Sequence, residues 1–175
     1  MKILTVPRPI LNQPAKPVLK VDKKIQQLVK EMIEVLNKQV DPPGVGLAAP
    51  QVGIPLQLFI IKPTKKAKPQ AFINPFIKKT VFNKDSLQKK TKKTHLEGCL
   101  SIPKIWSHVE RAKKVLLEYQ TTTGEKKTEW FSGFAAIIIQ HEVDHLKGIL
   151  FTQRTLEQGL TLYEEKEGKL IKKKI

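Results

Sequence analysis

Two of the four histidines, His141 and His145, stand four residues apart in IIIQHEVDHLKG, residues 137–148, with Glu142 directly after the first. On a helix this spacing puts both imidazoles on one face, one turn apart. The order His-Glu-x-x-His is the one used by helix-borne zinc hydrolases, where the glutamate works as a general base. Burying two imidazoles and a carboxylate in an apolar helix without a cation would leave expensive polar groups unsatisfied. The stretch therefore reads as part of a metal site. A catalytic site needs a third protein ligand and an open fourth position. Phe151 occupies the place, six residues after His145, where one protease class carries its third histidine. Glu157, Glu164 and Glu165 lie downstream, but on a polar tail. Upstream, HLEGCLSIP (95–103) holds Cys99, the single cysteine. Alone, Cys99 would read as a small buried apolar residue. Beside an incomplete histidine pair, a thiolate ligand for zinc or ferrous iron is the stronger reading.

A third stretch, GVGLAAPQVG (44–53), is rich in small residues and carries Gln51. It lacks the Lys-Ser/Thr of a phosphate-binding loop and fits no nucleotide fingerprint. Small residues that let a backbone approach closely suit a substrate-lining strand. An ordinary Gly/Pro turn is the alternative for this stretch taken alone.

These residues need elements to hold them. Asp22 is placed to cap a helix whose Ile25, Leu28, Val29, Met32, Ile33 and Leu36 follow the i, i+3, i+4 stripe of an amphipathic helix. DPPG (41–44) stops it. From Val52 to Tyr119 short strand-like runs follow (LQLFII, AFINPFI, TVF, KVLLEY), broken by Pro and Gly. TTTGEK predicts a turn into a strand over KTEWF. The lysine-rich stretch from Lys84 to Thr94 suggests an exposed loop or hairpin tip. Ser132 is expected to cap the helix that carries the histidines, from about Gly133 to Lys147, with Gly148 as its stop. Residues 1–157 read as a single catalytic domain, and 158–175 as a basic tail or a hairpin about Gly168. Strands on either side of a buried helix, with another helix near the start, indicate an α+β fold.

At 175 residues and 40% hydrophobic content, the chain can build one domain with a full core. No apolar run reaches the ~18 residues of a membrane-spanning helix. The start, MKILTVPRPI, lacks the apolar segment of a secretory signal, so a cytoplasmic location is expected. A lone cysteine excludes an intrachain disulfide and agrees with a reducing compartment. The formal charge of +16 raises a nucleic-acid reading, yet only three of the 32 cationic residues (Arg8, Arg111, Arg154) are arginines. Close reading of bases and phosphates favours arginine forks. A lysine-biased solvated surface is expected, with no specific DNA binding.

Three stretches in this order resemble the peptide deformylase family. Its motifs G-φ-G-φ-A-A-x-Q, E-G-C-φ-S and H-E-φ-D-H (φ apolar) are met by Gly44 to Gln51, Glu97 to Ser101 and His141 to His145. ILTVPRPILNQPAKPV, INP (73–75) and GILF (148–151) extend the similarity to about Glu157. The resemblance implies antiparallel β-sheets packed around a central metal-binding helix, and removal of the formyl group from the initiator methionine of nascent peptides. It implies Cys99, His141 and His145 as metal ligands, Glu142 as the proton carrier, and Gln51 with the Leu100 backbone N–H as donors to the oxyanion. Gly46 would pair with the peptide backbone, and Val45, Phe134, Ile137 and Ile138 would form the methionine pocket. The ion implied is Fe2+, with Zn2+, Ni2+ or Co2+ as substitutes. A monomer is expected; the basic tail Lys169–Lys174 could sit weakly on ribosomal RNA, but a solvated charge run is the stronger reading. Asp144 and Glu97 are expected to orient a ligand or pair with Arg111. Leu96, His95, Trp106 and the basic 84–94 stretch depart from the family pattern and bear on peptide preference, not on the reaction.

Overall fold

The computed structural model describes residues 1–82 and 95–173; the expected 84–94 loop lies outside the described residues. Helix α1 spans Lys23–Asn37. Asp22 caps it as the sequence predicts, its Oδ1 accepting from the N–H groups of Lys24 and Ile25 at 2.9 and 3.1 Å. Its buried face (Val29, Met32, Val35, Leu36) packs with Leu47, Leu58, Ile60 and Ile73.

Strands β1 (Gly46–Ala48), β2 (Leu58–Ile61), β3 (Gln70–Val81), β6 (Lys114–Gln120) and β7 (Lys126–Ser132) form an antiparallel sheet in the order β1-β2-β3-β6-β7. The run LFII of β2 is buried throughout. Alternation along a strand explains this: Leu58 and Ile60 face the α1 cluster, while Phe59 and Ile61 join the cluster packed against the helix that carries His141 and His145. The separate run AFINPFI and the Thr80 and Val81 of TVF belong to one strand, β3, with register shifts between Ile73 and Phe76 and between Ile77 and Lys79. Pro75, which cannot donate to a ladder, sits in the first irregularity.

A second antiparallel sheet runs β4-β5-β8-β9, with β4 at Glu97–Cys99, β5 at Ile102–Ser107, β8 at Leu162–Lys166 and β9 at Lys169–Lys172. Strands β8 and β9 make a hairpin that turns at Gly168 (φ 73°) and lies along β5. A short helix α3, Phe151–Glu157, packs over β4 and β5 and was not foreseen.

Helix α2, Phe134–Leu146, joins the Phe59, Phe72, Val115 and Leu117 cluster through Ala136, Ile138, Ile139, Val143 and Leu146. Its start corrects the sequence reading. Ser132 does not cap it, because Ser132 is the last residue of β7, opposite Lys114. The corner is made by Gly133 at φ 61°, a left-handed conformation that glycine adopts without strain. The stop at Gly148 (φ 71°) is as expected, and a side chain there would collide with the Asn12–Gln13 backbone.

Candidate metal centre

Helix α2 presents the His141 and His145 rings with centroids 4.9 Å apart. Cys99 arrives from β4, where the pairing with β5 slips between Gly98 and Cys99. The slip re-aims the cysteine, and its Sγ lies 3.1 Å from His145 Nε2. One ligand atom from each of Cys99, His141 and His145 falls within 4.8 Å of the others. The downstream acids stand elsewhere: Glu157 pairs with Arg154, Glu164 with Lys166, and Glu165 accepts from Trp106.

The trio suits a divalent cation on three grounds. A sulfur and two imidazole nitrogens are the donor set of zinc and ferrous iron. His141 Nδ1 sits 2.6 Å from Glu97 Oε1, so its other nitrogen is the one left for a ligand role. The buried Glu142 Oε2 has no hydrogen-bond partner among the described residues, an arrangement that a water held beside a cation would relieve; His145 turns Nε2, not its unpartnered Nδ1, toward the sulfur. The electrostatics agree. Burial works to raise the Cys99 thiol, but the adjoining His145 and His141 outweigh it and bring it down to about 5, favouring the thiolate that binds metals.

Around the trio, charges are tightly paired. Burial opposes ionisation of Glu97, yet His141 and Arg111 draw it down to about 2. Arg111 donates through Nη2 and Nε to Glu97 at 2.7 and 3.1 Å and through Nη1 to Asp144. Asp144 also accepts from Arg154, at 2.8 and 3.1 Å. Both acids that the sequence offered to Arg111 are thus its partners. Glu142 is the contrast: it is 3% exposed, and burial pushes its carboxyl up to about 7.

Gln51 is fully buried and its amide is fixed in direction. Oε1 accepts from the Ala48 N–H at 2.8 Å, while Nε2 points to Ser101 Oγ at 3.1 Å and Cys99 Sγ at 3.5 Å. The N-terminal segment fastens both motifs, since Leu4 N–H donates to the Gln51 carbonyl and Val6 N–H to that of Ser101. Gly46 faces α2 so closely that a methyl group would run into Glu142 Oε1 and Ile138.

A cavity of about 270 Å³ opens on this cluster. Val45, Gly46, Gln51, Cys99, Leu100, Phe134, Ile137, Ile138, His141 and Glu142 all line it; His145 stands behind. His95 borders it too, its ring 5.7 Å from that of Phe134. Gly98, inside the second motif but given no role by the sequence, lines it, and so does Trp106, which the sequence ties only to peptide preference.

The polypeptide deformylase family pattern matches residues 1–159. The chain belongs to the peptide deformylase family. It is 39% identical over 173 residues to the peptide deformylase of Borreliella burgdorferi, covering 98% of this chain and 93% of the relative. It is 40% identical over 166 residues to that of Dictyoglomus turgidum, covering 95% and 99%. The crystal structure of the Thermotoga maritima peptide deformylase superposes with a TM-score of 0.75 at 38% identity, over 87% of this chain and 95% of that one. That of Synechococcus elongatus, in complex with actinonin, gives 0.77 at 36%, over 88% and 78%. Peptide deformylases are metal-dependent hydrolases, and their mixed helices and antiparallel sheets are the architecture seen here.

Proposed function

We propose that this protein hydrolyses the N-formyl group from the initiator formyl-methionine of nascent polypeptides, releasing formate, with Cys99, His141 and His145 holding one divalent ion. The observation that carries this reading is the meeting of the Cys99 thiol and two imidazoles beside buried Glu142, whose Oε2 has no partner among the described residues, at an apolar cavity. A bound ion would supply Lewis acidity, polarising a carbonyl and easing the deprotonation of water. Fe2+ is the ion the family resemblance favours, with Zn2+, Ni2+ or Co2+ able to stand in.

The chain's own residues carry the rest. Glu142 takes a proton from the attacking water and passes it to the departing amine nitrogen as the formyl C–N bond breaks. A carboxyl near 7 suits both halves of that task. Gln51 Nε2 and the Leu100 backbone N–H donate to the formyl oxygen as negative charge gathers there. Val45, Phe134, Ile137 and Ile138 receive the methionine side chain, and the peptide backbone pairs along Gly46 like an added strand. Among the described residues no helix is long and apolar enough to cross a membrane. A cytoplasmic monomer, acting on chains at the ribosome through at most a weak association, fits this role.

The test is formate release from formyl-Met-Ala-Ser by anaerobically prepared protein, with metal analysis alongside. Stoichiometric metal and turnover are expected, both lost in Cys99→Ala. Turnover or stoichiometric metal retained in that variant would overturn the assignment.

A further inference from the structure

Trp106 lies opposite Gly98 in the β4–β5 pair. Its indole covers the glycine: a Cβ on Gly98 would stand 2.6 Å from Cζ3 and 2.7 Å from Cε3 of the ring. The far edge of the ring is fixed as well, Nε1–H donating to Glu165 Oε2 at 2.8 Å. Glu165 belongs to β8, which is registered against β5 with Tyr163 opposite Trp106. The C-terminal hairpin, which carries none of the three motifs, thus holds by this hydrogen bond the ring that packs on the strand carrying Cys99. The indole also borders two hollows, the cavity of about 270 Å³ at the metal centre and a neighbouring groove of about 390 Å³ beside the hairpin. Cys99 and Leu100 border both, so the ring stands at the partition between them.

We propose that Glu165, on the C-terminal hairpin, is a positioning residue for peptide preference, holding the Trp106 ring where the part of the peptide beyond its methionine passes. The proposal rests on the deformylase reading. A substrate with its methionine in the apolar cavity and its formyl carbon beside Cys99 continues over the indole into the adjoining groove. An aromatic face there offers broad contact to a main chain and small side chains without demanding one sequence. Freed from Glu165, the ring loses a partner for its N–H and the wall loses its fixed position.

Glu165→Ala should raise KM for formyl-Met-Ala-Ser about tenfold, the scale of one lost hydrogen bond, with kcat held and KM for formyl-methioninamide changing far less. Glu165→Gln, whose amide oxygen can accept the same N–H, should restore the longer substrate. Equal effects on both substrates, or none, would overturn the proposal. A second measurement needs no turnover. Trp130→Phe leaves Trp106 as the sole tryptophan, and its emission should shift on adding Met-Ala-Ser but not methioninamide. An unchanged emission with the tripeptide would also overturn it. If the unsubstituted protein released no formate from either formyl compound, the deformylase reading would fall, and the emission of Trp106 would still decide whether peptide meets the ring.

Discussion

Gln51 shows how much of this site depends on direction as well as proximity. With Oε1 committed to the Ala48 N–H, its amide hydrogens must face the Cys99 side. Gln51→Ala removes a donor that is already aimed, so kcat should fall by ~10²–10³ with a smaller change in KM, checked by steady-state formate release. Glu142→Gln keeps the shape but cannot take a proton; kcat should drop by ~10²–10⁴ while metal content, measured in parallel, stays stoichiometric. The sequence exposes such residues unevenly. His141, Glu142 and His145 are legible because their relation is local, a turn of one helix. The pairing of Arg111 with Glu97 and Asp144 spans 14 and 33 positions, and no local pattern encodes it.

At the level of elements, the buried ion pairs tie α2 to β4 and α3. Removing Arg111 would take a shared cation from two buried carboxylates, leaving Glu97 to His141 and Asp144 to Arg154. Arg111→Met should therefore destabilise the protein by about 3–5 kcal/mol, seen as a lower urea midpoint at unchanged slope. The five-stranded sheet holds a different titration. Burial and the hydrogen bond from Tyr119 to Glu129 push the phenol from 10.0 up to about 12. The folded state thus favours the neutral phenol. Its contribution is complete below pH 10 and is lost as pH rises through about 12. Ultraviolet titration should show a late phenolate step that is absent from Tyr119→Phe. Element boundaries were readable where the signal is local, as at Asp22. They were misread where pairing decides: β6 claims Ser132 for its ladder and leaves Gly133 to turn the corner. Trp106 stands out in the sequence as a departure bearing on peptide preference, but its place over Gly98 is set only by the register of β4 on β5.

Across the molecule, the three proposed ligands come from two elements, separated by 46 positions from Cys99 to His145. The ion would bind only where β4 and α2 are already docked, so it should stabilise the folded state. Stripping it with a chelator should lower the thermal midpoint, and restoring free metal to about 100 times Kd should return ~2.7 kcal/mol. The chain's first residues have a quieter influence. Leu4 and Val6 latch onto the carbonyls of Gln51 and Ser101 from outside, through two bonds at 2.7 and 3.0 Å. Peripheral segments of this kind open before a core does. Warming should therefore idle the enzyme some degrees below its melting point, formate production fading while circular dichroism still reports an intact fold, and recovering when the sample is cooled.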